Sequence, residues 1–129
     1  MALRGLGTDI VRMERLEASI RRTGEAFLRH VYAEEELRQA PPEGSPRRIE
    51  YLAGRWAVKE ALAKALGCGI SAQCRMCEVV TLDDQKSGQP RLTLRGAAAE
   101  TAGRLGVRQT MVSIAHEHEY AVATVITQG

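Results

Sequence analysis

Apolar and polar positions change their period several times along this chain, and each change marks an element. Leu3 to Ile10 reads as a short strand interrupted by Gly5 and Gly7. Glycines inside a strand point to a bulge or to a close backbone approach. From about Arg12 to Arg29 the spacing turns helical, with Met13, Leu16, Ile20, Phe27 and Leu28 as the apolar positions and arginines largely between them. Tyr32 to Arg38 predicts another short helix. It is ended by the proline-rich loop Pro41 to Pro46, where backbone donors are missing and the residues before proline are restricted.

The segment RRIEYLAGRWAVKEALAKALG, Arg47 to Gly67, carries the strongest helical signal: it is rich in good helix formers and stops at a glycine. Cys77 to Leu82 and Arg91 to Leu94 alternate as strands around the turn-rich DDQKSGQP. Ala97 to Leu105 is a second Ala-rich helix, closed by Gly106. Two alternating strands finish the chain, one with Val112 and Ile114, the other with Tyr120, Val122, Thr124 and Ile126. HEHE forms the turn between them or its shoulders. Neighbouring strands joined by turns, beside one long helix, predict an α+β fold: a largely antiparallel sheet packed on that helix, in a single domain over 1–129. The chain has neither the regular strand–helix alternation nor the G-x-G-x-x-G or G-x-x-x-x-G-K signature of a doubly wound nucleotide fold.

Composition narrows the function classes. At 129 residues, 44% apolar and 26% charged, the chain builds one ordinary core. Aromatics make up only 4%, which weighs against base-stacking recognition of single strands, and a net charge of +2 weighs against bulk nucleic-acid binding. Charge distribution is more telling: Arg12, Arg15, Arg21, Arg22 and Arg29 crowd the first quarter, and Arg47 and Arg48 follow. That surplus reads either as a solvated helix face or as a docking surface for an acidic partner. No apolar run approaches the ~20 residues of a membrane span, and MALRGLGTDIV lacks the pattern of a signal peptide. Cys68, Cys74 and Cys77 are an odd number without framework spacing, which predicts reduced thiols and a cytoplasmic protein. Cys74 and Cys77 form a C-x-x-C, but no second pair or suitably spaced His makes it a zinc site.

Three short segments carry candidate chemistry. In GTDI, Asp9 at the predicted strand end is either a cap for the following helix or a carboxylate aimed into a cleft. In WAVKEALAKALG, Glu60 and Lys64 are spaced i, i+4 and share a helix face. They read as a surface ion pair, or as a carboxylate for a hard cation beside an ammonium for phosphate. Mg²⁺ takes one or two protein carboxylates and completes its octahedron with water and phosphate oxygens, so Asp9 with Glu60 would meet its needs if the fold joins them. In VSIAHEHEYAVA, His116 continues the face of Val112 and Ile114 near the strand end, a position that is as readily structural as functional.

Together GTDIVRMERLE, LAGRWAVKEALAKALGCGI and VSIAHEHEYAVATVI, in this order and spacing, closely resemble the holo-[acyl-carrier-protein] synthases, the short bacterial type of 4′-phosphopantetheinyl transferase. The resemblance covers essentially the whole chain, and W-x-x-K-E-A-x-x-K is its most specific part. It implies the phosphopantetheinyl transferase fold and transfer of the phosphopantetheine arm of coenzyme A to a serine of an acyl carrier protein, with release of adenosine 3′,5′-bisphosphate. By that resemblance Asp9 and Glu60 match the magnesium-binding carboxylates. Lys64 matches a lysine near the pyrophosphate, and Lys59 belongs to the same signature. The resemblance likewise matches His116 to a position that lines the nucleotide pocket in many members, Gly67, Gly69 and Ile70 to a turn along the coenzyme, and Gly88 to Pro90 to a loop beside the adenine. Arg15, Arg22 and Phe27 match the surface that docks the acidic carrier. Members typically form homotrimers with sites at the subunit clefts, and the resemblance leaves the base that takes the serine proton open. The chain departs from the family where Cys68 replaces a frequent threonine and Trp56 a common phenylalanine, and His116 belongs to one branch only. The rivals are a non-catalytic adaptor holding an acidic protein on the basic first helix, and a small nucleic-acid-binding domain.

Overall fold

Gly5 and Gly7 decide how the fold closes. In a computed structural model describing residues 1–129, the chain runs β1 (Leu3–Arg12), α1 (Met13–Thr23), α2 (Glu25–Val31), α3 (Glu34–Gln39), α4 (Pro46–Leu66), β2 (Val79–Asp83), β3 (Pro90–Leu94), α5 (Gly96–Arg104), β4 (Gln109–Glu117) and β5 (Tyr120–Gln128). β1 and β4 flank β5 in an antiparallel three-stranded sheet, and β2 and β3 form a separate antiparallel hairpin. α4 lies across the sheet so closely that a Cβ on Gly7 would sit 1.9 Å from the Ala61 carbonyl oxygen, and one on Gly5 2.1 Å from that of Ala65. Both readings of the glycines hold: the register of β1 also shifts between Leu3 and Gly5. Opposite them α4 presents Ala57 and Ala61, and β5 presents Ala121, Ala123 and Val125, all buried.

Residues that pattern alone assigns to α4 do form it. Ser45 caps its start by accepting from the Arg47 N–H at 3.2 Å, Pro46 opens it, and Gly67 ends it at φ 82°. Val58, Leu62, Val79 and Val125 pack with it into one apolar cluster. Met13, Leu16, Leu28, Val31 and Leu52 form a second beneath α1 and α2. Each such fully buried side chain contributes about 1.5–3 kcal/mol.

Several sequence expectations are corrected. The helix expected over Arg12 to Arg29 is two helices, because Gly24 adopts φ 55° and its N–H closes on the Ile20 carbonyl. The first strand extends two residues beyond Ile10, since Val11 and Arg12 pair with Ala121 and Tyr120. The strand expected from Cys77 begins as a short 3₁₀ turn, Met76–Glu78, before β2. In HEHE, His116 and Glu117 belong to β4, while His118 takes the turn at φ 52°.

Candidate active site

Alternation along β1 puts Gly5, Gly7, Asp9 and Val11 in the row facing α4. The glycines bring the helix down onto the strand. Asp9, the next residue in that row, lines the cleft of about 630 Å³ that opens beyond them, between β1, α1 and α4. Glu60 and Lys64 enter the same cleft from α4. The Lys64 ammonium donates to Asp9 Oδ1 at 3.2 Å and to the Thr8 carbonyl at 3.0 Å. Its hydrogen-bonded partner is therefore the strand carboxylate rather than its helical neighbour Glu60. Asp9 is no helix cap and does not end the strand: it pairs with Ala123 within β1, and Arg12 holds the N-cap position of α1.

Burial raises the pKa of Glu60, the nearby Asp9 charge raises it further, and Lys64 partly opposes both. Two carboxylates that repel each other in one cleft are a set of acceptors suited to a divalent cation. No third His, Cys, Asp or Glu joins them, so the donor set suits a hydrated hard ion completed by a substrate and not a closed structural zinc site.

Arg15, Arg22 and Phe27 line the same cleft. Phe27 stacks on Trp56, with ring centroids 5.9 Å apart and planes 11° from parallel. The two rings form an apolar shelf beside the carboxylates.

The remaining expected site residues lie elsewhere on the chain. His116 projects from β4 with its Nδ1 3.4 Å from Glu50 of α4. With Pro90, Arg47 and Arg55 it lines a second cavity, of about 420 Å³. Gly88, at φ 73°, lies in the hairpin turn just before Pro90. Gly67 and Gly69 take left-handed conformations after α4, and Ile70 borders a third hollow with Arg75 and Cys77.

In the sequence Arg47 stands only within the arginine surplus, and Arg55 carries no local signal of a site. Arg55 is buried, pairs with Asp83 at 2.9 Å and stacks on Tyr51, yet its Nε has no partner. A buried guanidinium with a free donor is a signal only three dimensions supply. Of the C-x-x-C, Cys74 is buried, with its thiol pushed up to about 12 by burial, while Cys77 is exposed; both are free thiols. No helix is long and apolar enough to cross a membrane.

Comparison with known proteins agrees along the full length. A family model for the 4′-phosphopantetheinyl transferase superfamily matches residues 5–125. The chain is 46% identical to a holo-[acyl-carrier-protein] synthase of Edwardsiella ictaluri and 44% identical to one of Vibrio campbellii, each over 129 residues and all of both chains. The crystal structure of the Neisseria meningitidis holo-[acyl-carrier-protein] synthase superposes with a TM-score of 0.88 at 30% identity, covering 99% of this chain and 100% of that one. The Helicobacter pylori enzyme in complex with coenzyme A superposes at 0.82 with 26% identity, covering 95% and 99%.

Proposed function

This chain belongs to the holo-[acyl-carrier-protein] synthases of the 4′-phosphopantetheinyl transferase superfamily, and from that premise we propose how its clefts divide the work of the reaction. It transfers the 4′-phosphopantetheine of coenzyme A to a serine of an apo-acyl carrier protein. The serine oxygen forms a bond to the phosphorus bearing the pantetheine arm, the bond from that phosphorus to the bridging oxygen breaks, and adenosine 3′,5′-bisphosphate leaves. The observation that carries the assignment of roles is the meeting of Asp9, Glu60 and Lys64 in a cleft bordered by Arg15, Arg22 and Phe27.

Asp9 and Glu60 are the pair that would hold Mg²⁺. When bound, the ion neutralises charge on the pyrophosphate and polarises the phosphorus under attack. The chain's own part is positioning and fixed positive charge, as phosphoryl transfer generally requires. Lys64 keeps its ammonium at the rim of the pair and offsets charge building on the 5′-phosphate of the departing adenosine 3′,5′-bisphosphate. Arg15 and Arg22 meet the acidic carrier within reach of the carboxylates. Arg15→Glu is therefore expected to raise KM for the carrier about tenfold or more, with KM for coenzyme A unchanged, because a docking charge steers one partner only. Equal loss for both substrates in steady-state kinetics would contradict the docking role.

Cation binding needs Glu60 ionised, so protonation competes with the metal. The raised pKa means the folded protein holds this proton more tightly than the unfolded chain. The group thus favours the folded state at low pH, an advantage lost as pH rises from the ordinary 4.5 through the raised value. Mg²⁺ affinity runs the other way and weakens as pH falls through that window. Calorimetric titration with Mg²⁺ and coenzyme A across this range checks it, and a pH-independent affinity would count against Glu60 as a ligand.

The adenosine end fits the second cavity, where Arg47, Arg55 and His116 face a place for its 3′-phosphate and Pro90 one for its base. Glu50 and Glu60 stand ten residues apart on α4, about 15 Å of helix rise. Yet the pyrophosphate and the 3′-phosphate are carried on one ribose. The two half-sites also lie toward opposite edges of the sheet, Asp9 on β1 and His116 on β4. Copies joined head to tail in a closed ring would bring one edge's carboxylates to the next copy's arginines, and the family resemblance supplies the count of three. The sheet face turned away from α4 supports this: Leu6, Ile126 and Met111 form one row across the three strands, and Ile10, Val122 and Ala115 another. Leu6 and Ile10 are more than 60% exposed. Mixing Glu60→Gln with Arg55→Ala protein, each inactive alone, should restore part of the transfer through mixed rings. No recovery after denaturation and joint refolding would argue for a site within one protomer.

The direct test of the assigned reaction is to incubate the chain with coenzyme A, Mg²⁺ and an apo-carrier and to follow the carrier's mass. A carrier held by the chain but left unmodified would favour the adaptor.

A further inference from the structure

Lys59 and Glu36 form an ion pair with no solvent exposure on either side chain. The Lys59 ammonium donates to Glu36 Oε1 at 2.7 Å, to the Met76 carbonyl at 3.0 Å and to the Val79 carbonyl. Three acceptors use all three of its protons, so it has none for a phosphate. Glu36 in turn accepts from the Ala33 and Thr81 N–H groups, both at 2.9 Å, and its backbone carbonyl accepts from the Tyr51 hydroxyl at 2.6 Å. α3, α4, the 3₁₀ turn and β2 therefore meet at one point.

A buried pair is poor value as a source of stability, because apolar side chains of the same volume hold helices together equally well. What directional bonds add is register. Apolar packing tolerates small slides and rotations of a helix, whereas three acceptors at fixed positions do not. The placement of this pair gives register a consequence. Lys59 directly precedes Glu60, whose carboxylate enters the first cleft without a hydrogen bond or ion pair to hold it. The attitude of α4 alone aims it. On the other side, Met76 and Val79 stand between the segment carrying Ile70 and the hairpin leading to Gly88 and Pro90.

We propose that Lys59, with Glu36, is a positioning residue for the transfer: it locks α4 so that Glu60 meets Asp9 at the spacing a divalent ion needs, and ties that spacing to the coenzyme-lining segments. The proposal rests on the reading of Asp9 and Glu60 as the metal pair.

The test is the double substitution Glu36→Gln with Lys59→Gln, which removes both charges while keeping one of the two oxygens that accept from the Ala33 and Thr81 N–H groups and an amide donor at 59. Mn²⁺ serves as the probe, its binding followed by electron paramagnetic resonance with coenzyme A present and no carrier. Circular dichroism and a cooperative melt report the fold. The expected result is a folded protein whose Mn²⁺ affinity and kcat each fall about tenfold or more, the range typical of lost supports behind metal ligands. A merely structural pair would change the melting temperature and leave the affinity of the folded protein alone. Affinity and kcat within about twofold of wild type would overturn the proposal. If the double variant does not fold, Glu36→Gln alone, which keeps every backbone bond of Lys59, should weaken Mn²⁺ by about threefold or more, and unchanged affinity again overturns it. Glu60→Gln separates the two readings. If wild type binds Mn²⁺ and Glu60→Gln does not, the metal reading stands whatever the double variant does. If wild type binds none, both fall.

Discussion

Glu60→Gln loses transfer by at least about 10³-fold while the protein stays folded. The carboxylate is half of the donor set in the first cleft, and glutamine offers a neutral oxygen where the cation needs charge. Charge stabilisation by a bound metal is worth several kcal/mol in the transition state, and about 4 kcal/mol corresponds to that loss. The sign of the stability change sharpens the prediction. Glu60 is held in a setting that disfavours its charged form, through burial and the like charge on Asp9. Removing the charge relieves that repulsion, so without metal the variant melts no lower than wild type at neutral pH. Thermal melts in coenzyme A, with and without Mg²⁺, check both halves: wild type gains further stability from the ion and the variant does not. A variant that transfers at the wild-type rate would remove Glu60 from the metal pair.

The second large effect is structural. Gly7→Ala would push a methyl to 1.9 Å from the Ala61 carbonyl oxygen, a backbone atom that no side-chain rotation can move away. The strand and α4 must separate, and Asp9 and Glu60 separate with them. Overpacking of this kind costs about 3 kcal/mol, which for a domain of this size lowers Tm by roughly 10 °C. Transfer measured well below Tm falls as well, since the spacing of the carboxylates changes even in folded molecules. Gly44→Ala is the contrasting case: it has open space around the added carbon, and its φ of 88° makes any cost one of backbone conformation alone. Unchanged Tm and activity in Gly7→Ala would mean that the close approach does not set the site.

These effects show which parts of the fold could be read from residues in order. α4 was legible because its helix formers and its glycine stop agree, although Pro46, which reads as the end of the loop, opens the helix. Gly5 and Gly7 announced a close approach, but nothing local named the helix that approaches. The break at Gly24 was hidden, because apolar residues recur on both sides of it and period alone does not report a backbone turned to φ 55°. The true end of β1 depended on partners in β5 more than a hundred residues away.

Legibility of the site followed the same division. Asp9, Glu60 and Lys64 carried residue types that suit a cation and a phosphate, and the family resemblance joined them before the fold did. Lys59 and Lys64 look alike in sequence, five positions apart on one helix. Burial gives them unrelated roles: Lys64 is half exposed beside Asp9, and Lys59 is enclosed and spends every proton on the protein. Arg55 gave no local hint, because its free Nε exists only where Tyr51 and Asp83 enclose it. The separation of the metal pair from the arginine cavity was equally invisible, being set by the order of strands.

The central claim is that this chain places the phosphopantetheine arm on a carrier serine through a cation held by Asp9 and Glu60. The most direct measurement is intact-mass analysis of an apo-carrier incubated with coenzyme A and the protein, first with a chelator, then with Mg²⁺ restored in excess, and in parallel with Asp9→Asn and Glu60→Gln. The account predicts no adduct under chelation, full conversion when Mg²⁺ returns, and none with either variant. Conversion in the presence of chelator, or by both variants at the wild-type rate, would contradict it.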